Sequence, residues 1–155
     1  MTLPYAPGVA YYLFNFVKED AATRRALEQA TEFLRVRMWG IDADETHRSA
    51  LASGDLVLIY LGAPERDFIG RAQLASAAHD WTPSEAGVYP GDSPGGVLLA
   101  RVEEWDPPVP MNTVLSQIDP AGNAKADFQA GVVRITAHEY ETALAVAAGR
   151  APSTG

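Results

Sequence analysis

The chain has 155 residues, no cysteine and a formal net charge of −8, from 12 Lys and Arg against 20 Asp and Glu. One domain of this length buries a sufficient core, and the lack of cysteine excludes a disulfide framework, thiolate zinc sites and cysteine nucleophiles. The acidic balance argues against a broad basic nucleic-acid-binding surface. It leaves open a pocket that binds one base.

The amino-terminal region predicts neither export nor membrane insertion. No basic segment precedes an apolar one, as a secretory signal requires, and no lipidation motif is present. The apolar run Val9–Phe16 is far shorter than the roughly 20 residues of a membrane helix. We therefore expect a cytoplasmic protein with no membrane partner.

The first half of the chain predicts three strands and two helices. A strand over 10–17 precedes a helix that Asp20 caps, with apolar residues at helical spacing over 26–34. An extended segment over 35–39 and a short helix over 44–52 follow. The strand over 56–61 is apolar throughout, which predicts burial on both faces. After a turn, the strand over 68–76 contains Gly70, which indicates a bend or bulge.

The second half predicts two strands and two helices. Residues 79–96 are rich in Pro and Gly and predict a loop, with a mobile turn at 91–96. A strand over 97–105 is predicted to end at the prolines of 106–110. A helix over 112–118, a loop over 119–129 and a strand over 132–135 follow. Thr136 and Glu139 form a capping box that opens a helix ending at Ala148.

Together these elements predict an α+β domain whose sheet curls into a barrel. The domain is expected to span 10–148, between an N-terminal extension (1–9) and a flexible tail (149–155). The sequence shows no internal repeat, and no dimer interface is evident, so a monomer is expected.

The sequence carries no catalytic or metal-binding signature. Asp42, Asp44 and His47 are metal-ligand types at close spacing, but acidic residues at a helix amino end are the favoured interpretation. No serine lies in a nucleophile elbow. Glu103 and Glu104 are adjacent in a strand, so they point to opposite faces. We expect no enzyme activity, no metal and no cofactor.

The tryptophans are the more informative residues. Trp39 ends the extended segment just before Gly40, and Trp81 lies in a loop at 79–83. Two such rings form either the facing walls of a pocket, which bind a flat base by stacking, or covers for the ends of a small barrel. Asn15 ends the first strand, and its amide can donate and accept hydrogen bonds toward a base edge.

Several short motifs occur together in a characteristic order. They are Trp39-Gly40-Ile41, Leu51-x-x-Gly54-Asp55 before an apolar strand that holds Tyr60, Phe68-Ile69-Gly70-x-Ala72, Pro108-Val109-Pro110, and the run Phe128–Thr136. In this order the chain resembles an EVE domain of the PUA-like superfamily over nearly its whole length, 10–148. The resemblance implies a mixed β pseudo-barrel of five or six strands with flanking short helices.

The resemblance also implies a base-binding site. EVE domains are similar to the YTH readers of methylated adenine, and bacterial EVE domains are associated with modified cytosines in DNA, often inside restriction systems. The expected partner is therefore modified DNA or RNA, with a separately encoded nuclease or modification enzyme as a further candidate. The implied base-binding residues are Asn15, Phe16, Trp39, Gly40, Ile41 and Trp81.

Basic residues concentrate in the half of the chain that holds Trp39. Eight basic and ten acidic residues lie in 18–71, against four basic and ten acidic after it. We expect a local basic rim around one pocket, without a long phosphate track. The candidate phosphate contacts are Lys18, Arg35, Arg37, Arg48 and Arg71.

Two other functions stay open from the sequence. An ASCH-like hydrolase of a modified nucleoside would use a Lys, a Thr and a Glu near the first strands. This chain has only Lys18 and Lys125 and lacks the early motif of that group. The second alternative is a protein-binding or small-ligand-binding barrel without nucleic-acid binding, which the acidic charge favours.

Overall fold

A computed structural model of the chain describes residues 9–16, 23–62, 66–118 and 131–149. For residues 23–25 it describes the backbone alone. Several predictions fall outside these ranges. They are most of the N-terminal extension, Lys18, the Asp20 cap, the loop over 119–129 and nearly all of the tail.

Seven strands and four helices make up the described chain. The strands are β1 (Tyr11–Phe16), β2 (Met38–Gly40), β3 (Leu56–Leu61), β4 (Asp67–Leu74), β5 (His79–Asp80), β6 (Gly95–Pro110) and β7 (Val132–Ile135). The helices are α1 (Thr23–Val36), α2 (Pro83–Val88), α3 (Met111–Ile118) and α4 (Ala137–Gly149), with a turn of 3-10 helix at Arg48–Ala50.

The strands form one curled sheet in the order β2-β6-β4-β3-β1-β7, and β5 also pairs with β6. β1 and β3 are parallel, and the other pairs are antiparallel. The α+β class and the curled sheet are confirmed. The described sheet has seven strands instead of five or six, because β2 and β5 are too short to produce a visible alternation and both pair with the start of β6.

Apolar cores lie on both faces of this sheet, as the all-apolar β3 predicts. Val57, Ile59 and Leu61 belong to the core on the side of α1, which we call the α1 face. Leu56 and Leu58 alternate with them into a second core under α3 and α4, the α3–α4 face. All six residues of β3 are buried, so this strand is the centre of the domain.

β6 is longer than predicted. Gly70 of β4 pairs with Glu104, whereas Phe68 pairs with Val109, so residues 105–108 bulge away from the β4 ladder. Prolines 107 and 108 lie in this bulge, outside the register with β4, where a missing N–H breaks no hydrogen bond of that ladder. The predicted end at 106–110 is therefore wrong, and β6 continues to Pro110.

Two predictions between α1 and β3 are also wrong. The segment 35–39 is not extended throughout, because α1 continues to Val36 and Arg37 takes a φ of 63° before β2 begins. The predicted helix over 44–52 is a single turn at Arg48–Ala50, and the side chain of His47, which precedes that turn, makes no capping hydrogen bond.

The Leu-x-x-Gly-Asp motif, residues 51–55, links the start of β1 to the start of β3 through hydrogen bonds. Gly54 takes a φ of 97°, which favours glycine. The buried carboxylate of Asp55 accepts hydrogen bonds from the backbone N–H of Ala10 at 3.1 Å and of Ala52 at 3.0 Å. The motif therefore holds the start of β1 against the turn before β3.

The final helix begins as predicted. The Thr136 N–H donates to Glu139 Oε1 at 2.8 Å, and the Glu139 N–H donates to Thr136 Oγ1 at 3.0 Å. This confirms the capping box. In the parts of the chain that the structure describes, no helix has both the length and the apolar character needed to span a bilayer.

Candidate functional site

A cavity of about 800 Å³ opens on the α1 face. Its wall comes from the end of β1, the helix α1, the residues of and after β2, the loop 89–93, and the start of β7. These segments are distant in sequence, and the sheet order brings them together. Five of the predicted base-binding residues lie on this wall, namely Asn15, Phe16, Trp39, Gly40 and Ile41.

Four aromatic rings line the cavity. Phe33 meets Trp39 edge-on at 5.4 Å between ring centroids, and Phe16 meets Trp39 at 6.0 Å. Tyr89 lies 5.2 Å from Phe33. Together these rings form a wall against which a flat apolar group can pack.

Trp39 is both a cavity residue and a core residue. Its side chain is 4% exposed, and its ring stacks on that of Phe14 at 6.1 Å. Trp39 therefore covers the end of the α1-face core and also forms part of the cavity wall.

Gly40 is the point at which the loop 89–93 closes on β2. A Cβ atom at this position would collide with the Tyr89 hydroxyl and come within 2.8 Å of both Cβ and Oγ of Ser93. The next residue, Ile41, donates its N–H to the Gly95 carbonyl at 2.9 Å. The predicted mobile turn at 91–96 is therefore anchored against β2, and its first residues form cavity wall.

Tyr89 was not singled out by the sequence analysis. It is 9% exposed, and its hydroxyl lies beside Gly40, next to the Ser93 side chain. Burial raises the pKa of Tyr89, and the carboxylates of Asp92 and Asp42 raise it further. The phenol therefore stays neutral at physiological pH. The sequence feature that could have identified Tyr89 is an aromatic residue just before Pro90-Gly91, in a segment that also holds Trp81.

Trp81 lies outside the cavity lining and supports Tyr89 from behind. Its ring centroid is 4.9 Å from that of Tyr89, and its Nε1–H donates to the Ser93 carbonyl at 3.0 Å. From this loop, Tyr89 lies on the cavity wall, whereas the predicted base-binding residue Trp81 packs behind it. Trp81 still acts on the pocket, because it limits the movement of the tyrosine ring.

His79 supports Trp81 in turn. Its ring meets Trp81 edge-on at 5.7 Å. Its Nδ1 lies 3.0 Å from the Ala77 carbonyl and its Nε2 lies 2.9 Å from Glu85 Oε1. The hydrogen bond with Ala77 and the Glu85 carboxylate raise the pKa of His79 above its usual 6.5, against an opposing effect of burial. The protonated ring donates to both oxygens.

Asn15 lies deep at the end of β1. The residue is one of those that line the cavity, it is 6% exposed, and its backbone N–H donates to the Gly131 carbonyl at 2.9 Å. A Cβ at Gly62 would come within 3.0 Å of Asn15 Oδ1. The glycine at 62 therefore leaves room for the amide.

The predicted phosphate contacts that the structure describes lie away from the cavity lining. Arg35 Nε is 3.5 Å from Glu104 Oε2, and Arg48 Nη2 is 3.5 Å from Asp80 Oδ1. Arg37 is exposed at the turn between α1 and β2.

Arg71 lies on the opposite face of the sheet. Its Nε donates to Glu103 Oε1 at 3.1 Å, and its Nη1 donates to the hydroxyl of Tyr140, a residue of the α3–α4 core, at 3.4 Å. Arg71 is therefore not placed to contact a nucleic acid whose base enters the cavity.

Asp42, Asp44 and His47 do not assemble into a metal site in the structure. Among the residues it describes, no group of three or more His, Asp or Glu side chains lies close enough to hold a metal ion. Asp42 lies on the cavity wall instead.

No protein-family model and no curated protein sequence matches the chain. Solved structures do match. A hypothetical protein from Leishmania major aligns with a TM-score of 0.65 at 16% identity, covering 93% of this chain and 98% of that one. A variant of the ASCH protein from Zymomonas mobilis aligns with a TM-score of 0.56 at 12% identity, covering 91% and 99%.

Human THYN1, solved in complex with 5-methylcytosine-containing DNA, aligns with a TM-score of 0.59 at 12% identity, covering 89% of this chain and 97% of that one. The similarity extends over almost the whole of each protein. The chain therefore has a PUA-like fold.

Proposed function

We propose that this protein is an EVE-type reader that holds one modified base of DNA or RNA, flipped out of its stack, in the cavity on the α1 face. The observation that carries the proposal is the wall of four aromatic rings around a cavity of about 800 Å³. Binding sites for small ligands have volumes of roughly 300–1,000 Å³, so this cavity is large enough for one base.

In such a site, the free energy gained by stacking is similar in size to the cost of extruding the base. Extruding a base costs a few kcal/mol, and less for a base that is already unpaired. Stacking on an aromatic side chain returns about 1–3 kcal/mol per base. Phe16, Phe33 and Tyr89 supply the ring surface for this stacking.

Two further observations support the proposal. The PUA-like fold is shared with human THYN1, whose structure contains 5-methylcytosine-containing DNA. The motif Trp39-Gly40-Ile41 also lies on the cavity, where the resemblance to EVE domains assigns base contacts. We propose binding without catalysis, in keeping with the lack of a catalytic motif in the sequence.

A pair of phenylalanine substitutions tests the proposal. Trp39→Ala is a poor choice, because removing a buried tryptophan costs about 3–5 kcal/mol. Phe33→Leu removes one ring from the cavity wall, and Phe68→Leu removes one from the α3–α4 core, where Phe68 is 2% exposed. Binding of modified and unmodified nucleosides and oligonucleotides is measured by calorimetry on the full chain, with product analysis for turnover.

We expect a modified base to bind wild type and Phe68→Leu alike, and Phe33→Leu about tenfold more weakly, because one stacking contact is lost. No turnover is expected. Equal affinities of all three proteins would contradict the assignment of the site. Formation of a base or nucleoside product would contradict the non-catalytic proposal in favour of a hydrolase. A lack of binding to every base would favour a barrel that binds another class of ligand.

A further inference from the structure

The charged side chains on the described wall of the cavity all have the same sign. Glu32, Asp42, Glu45 and Asp92 line it, and no Lys or Arg does so in the part of the chain that the structure describes. Glu32, Asp42 and Asp92 are exposed at the mouth, while Glu45 is half-buried. The cavity therefore opens through an acidic rim, where the sequence predicted a basic one.

The neighbouring arginines do not neutralise this rim. Arg35 pairs with Glu104 and Arg48 with Asp80, and neither acid lies on the cavity wall. Among the described residues, none of the four rim carboxylates takes part in a salt bridge.

The negative potential of the rim reaches the aromatic wall. Besides burial, the carboxylates of Asp92 and Asp42 raise the pKa of the Tyr89 hydroxyl, so both lie close enough to act on that ring. Aromatic faces also attract cations, by about 0.5–2 kcal/mol depending on how far water is excluded. The rings and the carboxylates thus favour the same sign of charge in an occupant.

We propose that the base held in this cavity carries a positive charge on its ring, as an N-alkylated purine or pyrimidine does. This inference rests on the proposed function. The site itself is defined by the cavity and its rings, and the carboxylates specify the charge of its occupant. A neutral base gains only stacking there, whereas a cationic ring gains stacking, cation–π attraction and attraction to the rim. A phosphate at the mouth is repelled.

Matched nucleosides test the charge without phosphates. At mildly acidic pH, where N1 keeps its proton, 7-methylguanosine carries a cationic ring, and 7-methyl-7-deazaguanosine has the same shape without the charge. Calorimetric titration of the full chain at low salt is expected to show roughly tenfold tighter binding of the cationic nucleoside. The preference is expected to shrink at high salt, because exposed charges are screened.

Variants then assign the preference to the rim. The double variant Asp42→Asn with Asp92→Asn removes two rim charges at exposed positions. The matched control is Glu104→Gln, which removes an exposed carboxylate outside the cavity. We expect the double variant to lose most of the preference for the cationic nucleoside, and the control to retain that preference.

The outcomes separate this inference from the proposed function. Equal binding of the two nucleosides, or a preference that the double variant retains, overturns the cationic ligand and leaves base binding intact. If neither these nucleosides nor any other base binds, both proposals fail.

Discussion

The contact between Gly40 and Tyr89 makes the closure of the cavity sensitive to a single methyl group. In Gly40→Ala, the new Cβ would overlap the Tyr89 hydroxyl and lie 2.8 Å from two atoms of Ser93. The ring of Tyr89 cannot swing aside freely, because Phe33 and Trp81 lie 5.2 and 4.9 Å from its centroid. The loop 89–93 must therefore move away from β2.

The expected magnitude follows from overpacking. Inserting a methylene or methyl group into a packed site costs about 1–3 kcal/mol, and a domain of this size loses about 2–4 °C in Tm per kcal/mol. The same movement displaces the Tyr89 wall, so we expect base binding to weaken by about tenfold, the equivalent of one stacking contact. Differential scanning calorimetry and nucleoside titration measure the two effects.

Two further variants test whether the losses in Gly40→Ala come from its contact with Tyr89. Gly87→Ala lies in α2, where a Cβ meets nothing within 4 Å, so it should leave Tm unchanged or raise it. Adding Tyr89→Phe to Gly40→Ala removes the oxygen that the methyl group meets, and should recover part of the lost stability as a favourable coupling. If Gly40→Ala melts and binds like wild type, the proposed closure of the loop on β2 is incorrect.

Two other predictions concern stability. Asp55→Asn leaves one of two backbone N–H donors facing an amide nitrogen, and should lower the free energy of unfolding in urea by about 1.5–3 kcal/mol; an unchanged urea midpoint would argue against the structural role of the motif. His79, whose pKa is raised by its hydrogen bond with Ala77 and by Glu85, stabilises the fold as a cation, fully so below its unfolded-state pKa and no longer once the pH has risen through the folded pKa. The Tm difference between wild type and His79→Gln should therefore be largest near pH 5 and fall to a constant value by about pH 9, where only the ring contact with Trp81 still distinguishes the two proteins; a difference independent of pH would exclude the charged pair.

Local sequence was sufficient where one segment determines its own structure. β3 is apolar at every position and is buried on both faces. The side chains of Thr136 and Glu139 cap α4 through reciprocal hydrogen bonds within four residues. In both cases the interacting groups are neighbours in the chain, or their composition already requires burial.

Elsewhere, pairing between strands that are distant in sequence determines the structure, and local sequence patterns do not predict it. Proline normally ends a strand, but β6 continues because β4 pairs on both sides of the bulge at 105–108. β2 and β5 exist only because the start of β6 offers them partners. Neither effect is visible in the spacing of residues within one segment.

The cavity was predicted in part for the same reason. Trp39 and Gly40 were found because β2 follows directly from α1 and matches a known motif. Whether Trp81 or Tyr89 faces the cavity depends on how the loop 79–93 folds against β2, which no local periodicity encodes. The sign of the rim was also misjudged, since counting charges over half the chain does not tell which side chains share a cavity.

The position of β1 also has a consequence for the synthesis of the protein. β1 lies between β3 and β7, and Tyr11 pairs with Ile135 across about 120 residues of chain. While the ribosome is still making the middle of the protein, one edge of β1 has no partner, and its sequence is rich in aromatic and aliphatic side chains. Exposed edges of this kind invite pairing with other chains. Emergence of β7, which follows every other strand of the described sheet, covers that edge and protects β1 from aggregation.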